Sequence, residues 1–132
     1  MSKKDDLIAA AIAAMPSAYA PYSHFQVGAA LCDEAGRLHQ GVNVENAAYP
    51  QGSCAEAGAI SAMVMAGGGQ ITAIAVAGRG DSLCTPCGGC RQRLREFAAP
   101  DTPIYICGPE GLRHTCTLDE LLPHSFGPNN LR

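Results

Sequence analysis

Ile71-Thr72-Ala73-Ile74-Ala75-Val76-Ala77 is apolar on both of its alternating faces, the pattern of a strand covered from two sides. Such a strand belongs at the centre of a sheet with helices above and below. A second run of this kind, residues 104–107, follows after a loop over 81–89 and a short helical stretch over 90–97. Upstream, residues 54–66 are rich in Ala and Met and stop at Gly67-Gly68-Gly69, which predicts a helix and its end. Residues 26–34 and 38–45 flank the turn Ala35-Gly36 and read as a hairpin, and residues 47–53 read as a loop. At the amino terminus Leu7, Ile8, Ile12 and Met15 share one helical stripe, with Ser2 as the cap and Pro16 as the end or kink. Residues 112–116 make a fifth strand, and Thr117 caps a short final helix. The order α-β-β-α-β-α-β-β-α predicts an α/β fold in which one mixed five-stranded sheet is sandwiched between helices. No repeat, linker or low-complexity block interrupts that order, so residues 1–132 read as a single domain.

A chain of 132 residues can bury one core without a disulfide scaffold. Its 47% apolar and 16% charged residues exclude a disordered tail protein. Nine Lys and Arg against twelve Asp and Glu leave a net charge of -3, which excludes a general polyanion coat; no nucleic-acid partner is expected. The longest apolar run, residues 7–15, is far below the roughly twenty needed to span a bilayer, so no membrane segment is expected. That run follows Lys3 and Lys4 and precedes Ala18-Tyr19-Ala20, an imitation of a leader and its cleavage site, but Asp5 and Asp6 spoil the basic region. A cytoplasmic location is expected.

Seven cysteines, at 32, 54, 84, 87, 90, 107 and 116, are odd in number and fit reduced thiols or metal ligands better than a disulfide framework. Pro86-Cys87-Gly88-Gly89-Cys90 is a Cys-x-x-Cys turn opening a helix, and such a turn folds two sulfurs toward one point. By spacing alone it suits a metal, a redox pair or structural cysteines equally, although a thioredoxin-like pair would stand just after the first strand. Cys54-Ala55-Glu56 opens another helix, where the sulfur could bind a metal while the carboxylate faces its water. Taken separately, a buried apolar thiol and a first-turn carboxylate favoured by the helix dipole explain the same residues.

Together these two segments resemble the zinc nucleoside-deaminase signature in its three-cysteine form. The resemblance extends through Ala18-Tyr19-Ala20-Pro21-Tyr22-Ser23, Phe25, Val27-Gly28-Ala29-Ala30, Asn43-Val44-Glu45-Asn46 and Leu122-Pro123-His124-Ser125-Phe126-Gly127-Pro128, and is to the small cytidine deaminases. It runs in family order over nearly the whole chain, departing at Pro16, where relatives continue a helix toward Ala18.

The resemblance implies Zn²⁺ held by Cys54, Cys87 and Cys90, with Glu56 as proton shuttle. It places Asn43 and Glu45 on the sugar, Phe25 against the base and Ala55 in the substrate site, and it brings Ala47, Tyr49 and Phe126 from a neighbouring subunit of a homo-oligomer, a homotetramer. The implied reaction is hydrolysis of cytidine and 2'-deoxycytidine to uridine and 2'-deoxyuridine with release of ammonia, in pyrimidine salvage. In it Glu56 takes a proton from zinc-bound water, gives it to N3 and later protonates the departing amino group. Three thiolates leave a zinc site at -1, so something must offset that charge. The two helix N-termini do so in part, and Arg91 is expected to donate to a thiolate, while Arg93 and Arg95 read as solvent-facing. His24, His39, His114 and His124 match no ligand spacing, and Cys32, Cys84, Cys107 and Cys116 read as packing thiols. Competing readings are a deaminase of a cytosine-nucleoside antibiotic, a polynucleotide-editing deaminase and a silent structural zinc module. Asn43 and Glu45 favour an unmodified sugar, the acidic balance opposes a polymer, and Glu56 beside an open metal position opposes a purely structural site.

Overall fold

The computed structural model describes residues 3–132, which leaves the Ser2 cap outside the described residues. Four helices, α1 (Lys3–Ala14), α2 (Ala55–Met65), α3 (Gly88–Phe97) and α4 (Leu118–Leu121), accompany five strands. The strands are β1 (Val27–Asp33), β2 (Leu38–Val42), β3 (Ile71–Gly78), β4 (Pro103–Gly108) and β5 (Gly111–Thr117). They form one sheet in the order β2-β1-β3-β4-β5, which puts the doubly apolar β3 at its centre. β3 and β4 are parallel across the α3 crossover, and the other neighbours are antiparallel.

Alternation along the central strands separates two cores. Ala29 and Leu31 of β1 and Ile74 and Val76 of β3 meet Ala59 and Met63 of α2 and Leu94 of α3 on one face. The intervening Ala30, Cys32, Ala75 and Ala77 meet Leu7 and Ala11 of α1, and Met15 just after it, on the other. Small residues dominate that second face because α1 lies almost on the backbone: a Cβ on Gly28 would stand 2.2 Å from the Ala11 carbonyl oxygen. The stretch that imitates a leader is therefore a packed helix with Leu7 and Ala11 buried. Pro16 falls in a 3₁₀ turn, Met15–Ser17, that ends α1 where its fixed φ and missing N–H require.

Two backbone approaches position the working end. A Cβ on Gly41 would come within 2.2 Å of the Ala55 carbonyl oxygen and 2.3 Å of the Ala59 nitrogen, so glycine there lets the first turn of α2 rest on β2. β2 is shorter than the sequence predicts because the chain changes pairing partner after Val42. Val44 bridges Tyr19 on one side and Ser53 on the other, which ties the segments before β1 and before α2 to one extended strip. Thr117 forms the capping box of α4 with Glu120, as its position predicts.

Candidate active site

The site lies where β2 and β3 end and β1 begins, between the amino termini of α2 and α3. Cys54 is the N-cap of α2 and Cys87 that of α3, while Cys90 sits in the first turn of α3. Both helix dipoles thus aim positive charge at the sulfurs. One Sγ from each of the three cysteines lies within 4.8 Å of the others. The Cys54 and Cys87 sulfurs are 3.7 Å apart, against about 3.8 Å for two sulfurs bound tetrahedrally at roughly 2.3 Å from zinc. The donor set therefore fits zinc in both chemistry and spacing. It is also an incomplete tetrahedron, since three sulfurs leave one position for water or substrate. No histidine joins this cluster among the described residues.

Glu56, in the first turn of α2, is only 4% exposed. Burial raises its carboxyl above the usual range, outweighing what its own amide and the charge of Arg93 do to lower it. A carboxyl raised in this way holds a proton more readily than an ordinary glutamate, as a group that must both take and return one requires. The Cys90 amide holds the Cys87 thiol below its ordinary value, whereas burial pushes Cys54 and Cys90 up.

A cavity of about 320 Å³ opens onto these groups and is lined by Asn43, Glu45, Ala55, Glu56, Cys84 and Cys87 among others. A second cavity, of about 420 Å³, shares Glu45 and Tyr49 with it. The two polar residues assigned to a sugar have partners of their own in the described chain. Asn43 donates from Nδ2 to the Phe25 carbonyl and accepts the Val27 N–H at Oδ1, both at 2.9 Å. Glu45 accepts the Tyr22 and Ser23 amides at 2.9 and 3.1 Å and the Ser23 hydroxyl as well, and that hydroxyl holds its carboxyl below the usual range. Both residues face the cavity and at the same time brace the turn that carries Phe25.

Phe25 itself is 41% exposed. Its ring edge and the Cys84 sulfur both crowd the bare Cα of Gly78, where a Cβ would stand 2.7 Å from the sulfur and 3.2 Å from the ring. Cys84 is thus a wall of the site rather than a remote packing thiol, and burial pushes it up to about 11. Ala47 is exposed, and Tyr49 lies on a 3₁₀ turn with only an edge contact to Tyr22. Phe126 is 57% exposed on the carboxyl-terminal tail. All three are exposed in the single chain.

The arginines of α3 require a correction. Arg91 does not face a thiolate: Nε donates to the Pro86 carbonyl at 2.7 Å, Nη1 to the Leu121 carbonyl at 2.8 Å and Nη2 to the Thr85 hydroxyl at 3.3 Å. It clamps the backbone of the cysteine loop onto the end of α4. The guanidinium beside a sulfur is that of Arg93, whose Nη1 lies 3.8 Å from Cys90 Sγ. Arg95 is not free in solvent either, since it donates to Ser125 Oγ at 2.9 Å and its guanidinium lies against Gly127. Helical spacing holds the missed signal for Arg93, which is three residues after Cys90 on the same face.

A family model, the cytidine and deoxycytidylate deaminase zinc-binding region, matches residues 1–106. A cytidine deaminase of Halalkalibacterium halodurans is 42% identical over 120 residues, 91% of this chain and 91% of that protein. One of Sporosarcina psychrophila is 39% identical over 127 residues, 96% of this chain and 93% of that protein. The crystal structure of cytidine deaminase from Burkholderia pseudomallei superimposes with a TM-score of 0.85 at 42% identity, covering 92% of this chain and 97% of the other.

Proposed function

The chain belongs to the cytidine and deoxycytidylate deaminase family, and on that premise we propose that it hydrolyses cytidine and 2'-deoxycytidine to uridine and 2'-deoxyuridine with release of ammonia. The observation that carries this reading is a buried carboxyl, raised by desolvation, on the cavity that Cys54 and Cys87 line, with Cys90 behind them completing three sulfurs spaced for one zinc ion. Cys54, Cys87 and Cys90 hold the zinc, which when bound supplies a Lewis acid that makes a water acidic enough to attack at neutral pH. Glu56 is placed to take a proton from the attacking water and deliver it to N3 of the ring, so that oxygen would add at C4. Glu56 then takes the proton of the new C4 hydroxyl and passes it to the exocyclic nitrogen, the C4–N bond breaks, ammonia leaves and the C4 oxygen remains as the carbonyl of the product. One carboxyl serves as base and then acid, which requires that it stay close to the ring and out of bulk water.

Phe25 borders the base, and Asn43 and Glu45 meet the sugar with the acceptor and donor capacity left over from the turn they brace. Ala55 lies at the cavity wall between Cys54 and Glu56. The exposure of Ala47, Tyr49 and Phe126 supports assembly as a homotetramer in which these residues complete a neighbour's site. Residues 1–132 act as one deaminase domain in pyrimidine salvage. No described helix is long and apolar enough to cross a membrane, and the proposed place of work is the cytoplasm. The test follows the absorbance change from cytidine to uridine with purified protein. Turnover is expected to vanish on chelation and to return with zinc, and turnover that survives verified zinc removal would refute the reading.

A further inference from the structure

We propose that Arg93 is the cation that offsets the thiolate charge at the metal-binding cysteines, acting as a positioning residue through a hydrogen bond to Cys90. The inference rests on the zinc reading above. Three thiolates and one Zn²⁺ sum to -1, and the Glu56 carboxylate stands beside them. Uncompensated negative charge makes the sulfurs strong donors and the metal a poorer acid. An N–H directed at a thiolate draws density off the sulfur and restores that acidity.

Arg91, next to Cys90 in sequence, is directed elsewhere: its Nε, Nη1 and Nη2 donate to Pro86, Leu121 and Thr85, and among the described residues none of its hydrogen bonds runs to a sulfur. Arg95 is turned to the tail at Ser125, and Arg113 to Glu110 and the Gly80 carbonyl. Arg93 reaches Cys90 Sγ at 3.8 Å, and its charge is also felt at Glu56. Cys90 is fully buried, so water does little to screen its sulfur. Gly89 keeps the path open, since even a Cβ there would lie 3.2 Å from Arg93 Nη1.

The test compares the metal-loaded wild type with Arg93→Gln and Arg93→Lys, using zinc for turnover and cobalt(II) in the same site for spectroscopy. Arg93 is exposed on α3, so both variants are expected to fold and to bind one metal ion per chain. Loss of the N–H to sulfur raises the energy of the sulfur donor electrons. The sulfur-to-cobalt charge-transfer band of Arg93→Gln is therefore expected at longer wavelength than in the wild type. Its kcat is expected to fall by about tenfold to a hundredfold, with KM for cytidine held within about twofold because the substrate contacts are elsewhere. Arg93→Lys restores a cation on the same face and should recover part of both changes. A band that stays in place in Arg93→Gln overturns the proposal whatever happens to turnover, and so does a shifted band with undiminished kcat. If Arg93→Gln does not fold, the band position of Arg93→Met decides in the same way. A wild type that binds cobalt through its sulfurs yet leaves cytidine unchanged would instead refute the deaminase reading.

Discussion

Two buried carboxylates stand at opposite ends of the sheet, and their surroundings give them different work. Asp33, at the end of β1, is 1% exposed and Glu56 is 4% exposed. The Asp33 oxygens accept the amides of Ala35 and Arg37, Arg37 Nε at 2.9 Å and His39 Nε2 at 2.8 Å. Its hydrogen bond with His39, followed by these further donors, holds the carboxyl far below the usual range in spite of burial. Glu56 has no comparable set of donors, and burial wins. A carboxylate whose lone pairs are filled by its own hairpin fastens that hairpin. One left desolvated beside a cavity has its proton affinity raised and its oxygens free for a ligand.

If that contrast is right, substitutions at the two ends must separate stability from turnover. The largest effect is expected from Cys87→Ala, which removes one of the three sulfurs clustered to hold the metal. Zinc content should fall far below one per chain and turnover to background, with weaker folding because metal binding is coupled to it. Metal analysis checks this, and full zinc in the variant would break the assignment. Phe126→Ala is expected to raise KM by about tenfold to a hundredfold through loss of roughly 1–3 kcal/mol of stacking on the base, with zinc unchanged. Mixed oligomers of Phe126→Ala with Glu56→Gln should regain activity if the ring serves a neighbour. The smallest catalytic effect is expected at the other end. Asp33→Asn should lower Tm by about 5 °C or more while kcat per folded molecule stays within about twofold.

The acid limb of stability sharpens the contrast. Because the Asp33 carboxyl is lowered on folding, its contribution is whole above about pH 4, the ordinary carboxylate value, and is lost as pH falls through the depressed folded value. Thermal scans of wild type and Asp33→Asn should therefore converge as the solution is acidified. Curves that stay parallel would show that Asp33 is not the group responsible.

The sequence is legible where one residue type answers to one local rule. The two-faced apolar pattern of residues 71–77 places β3 at the sheet centre, Pro16 ends α1, and Thr117 with Glu120 caps α4. Cys87 and Cys90 are close in sequence, and both lie at a helix start with Cys54. What spacing could not supply is set by segments remote in sequence. Arg91 turns away from the sulfurs because α4 returns the Leu121 carbonyl to it, thirty residues on. Asn43 and Glu45 are held by Phe25, Val27, Tyr22 and Ser23, because the strip after β2 leaves β1 at Val27 and goes on to pair with the segment around Tyr19. His39 matches no ligand spacing in the sequence, and its hydrogen bond with Asp33 forms only because the hairpin brings the two together. Cys84 reads as a packing thiol until the loop after β3 lays it over Gly78.

The claim that Glu56 is the working carboxyl is tested most directly by measuring zinc content and cytidine turnover on one preparation of Glu56→Gln. A neutral amide cannot carry the proton but leaves the three sulfurs in place. The expected result is one zinc per chain, retained nucleoside binding and a turnover at least about 10²-fold below wild type. Near-normal turnover with zinc bound would contradict the account and move the acid–base role to another residue.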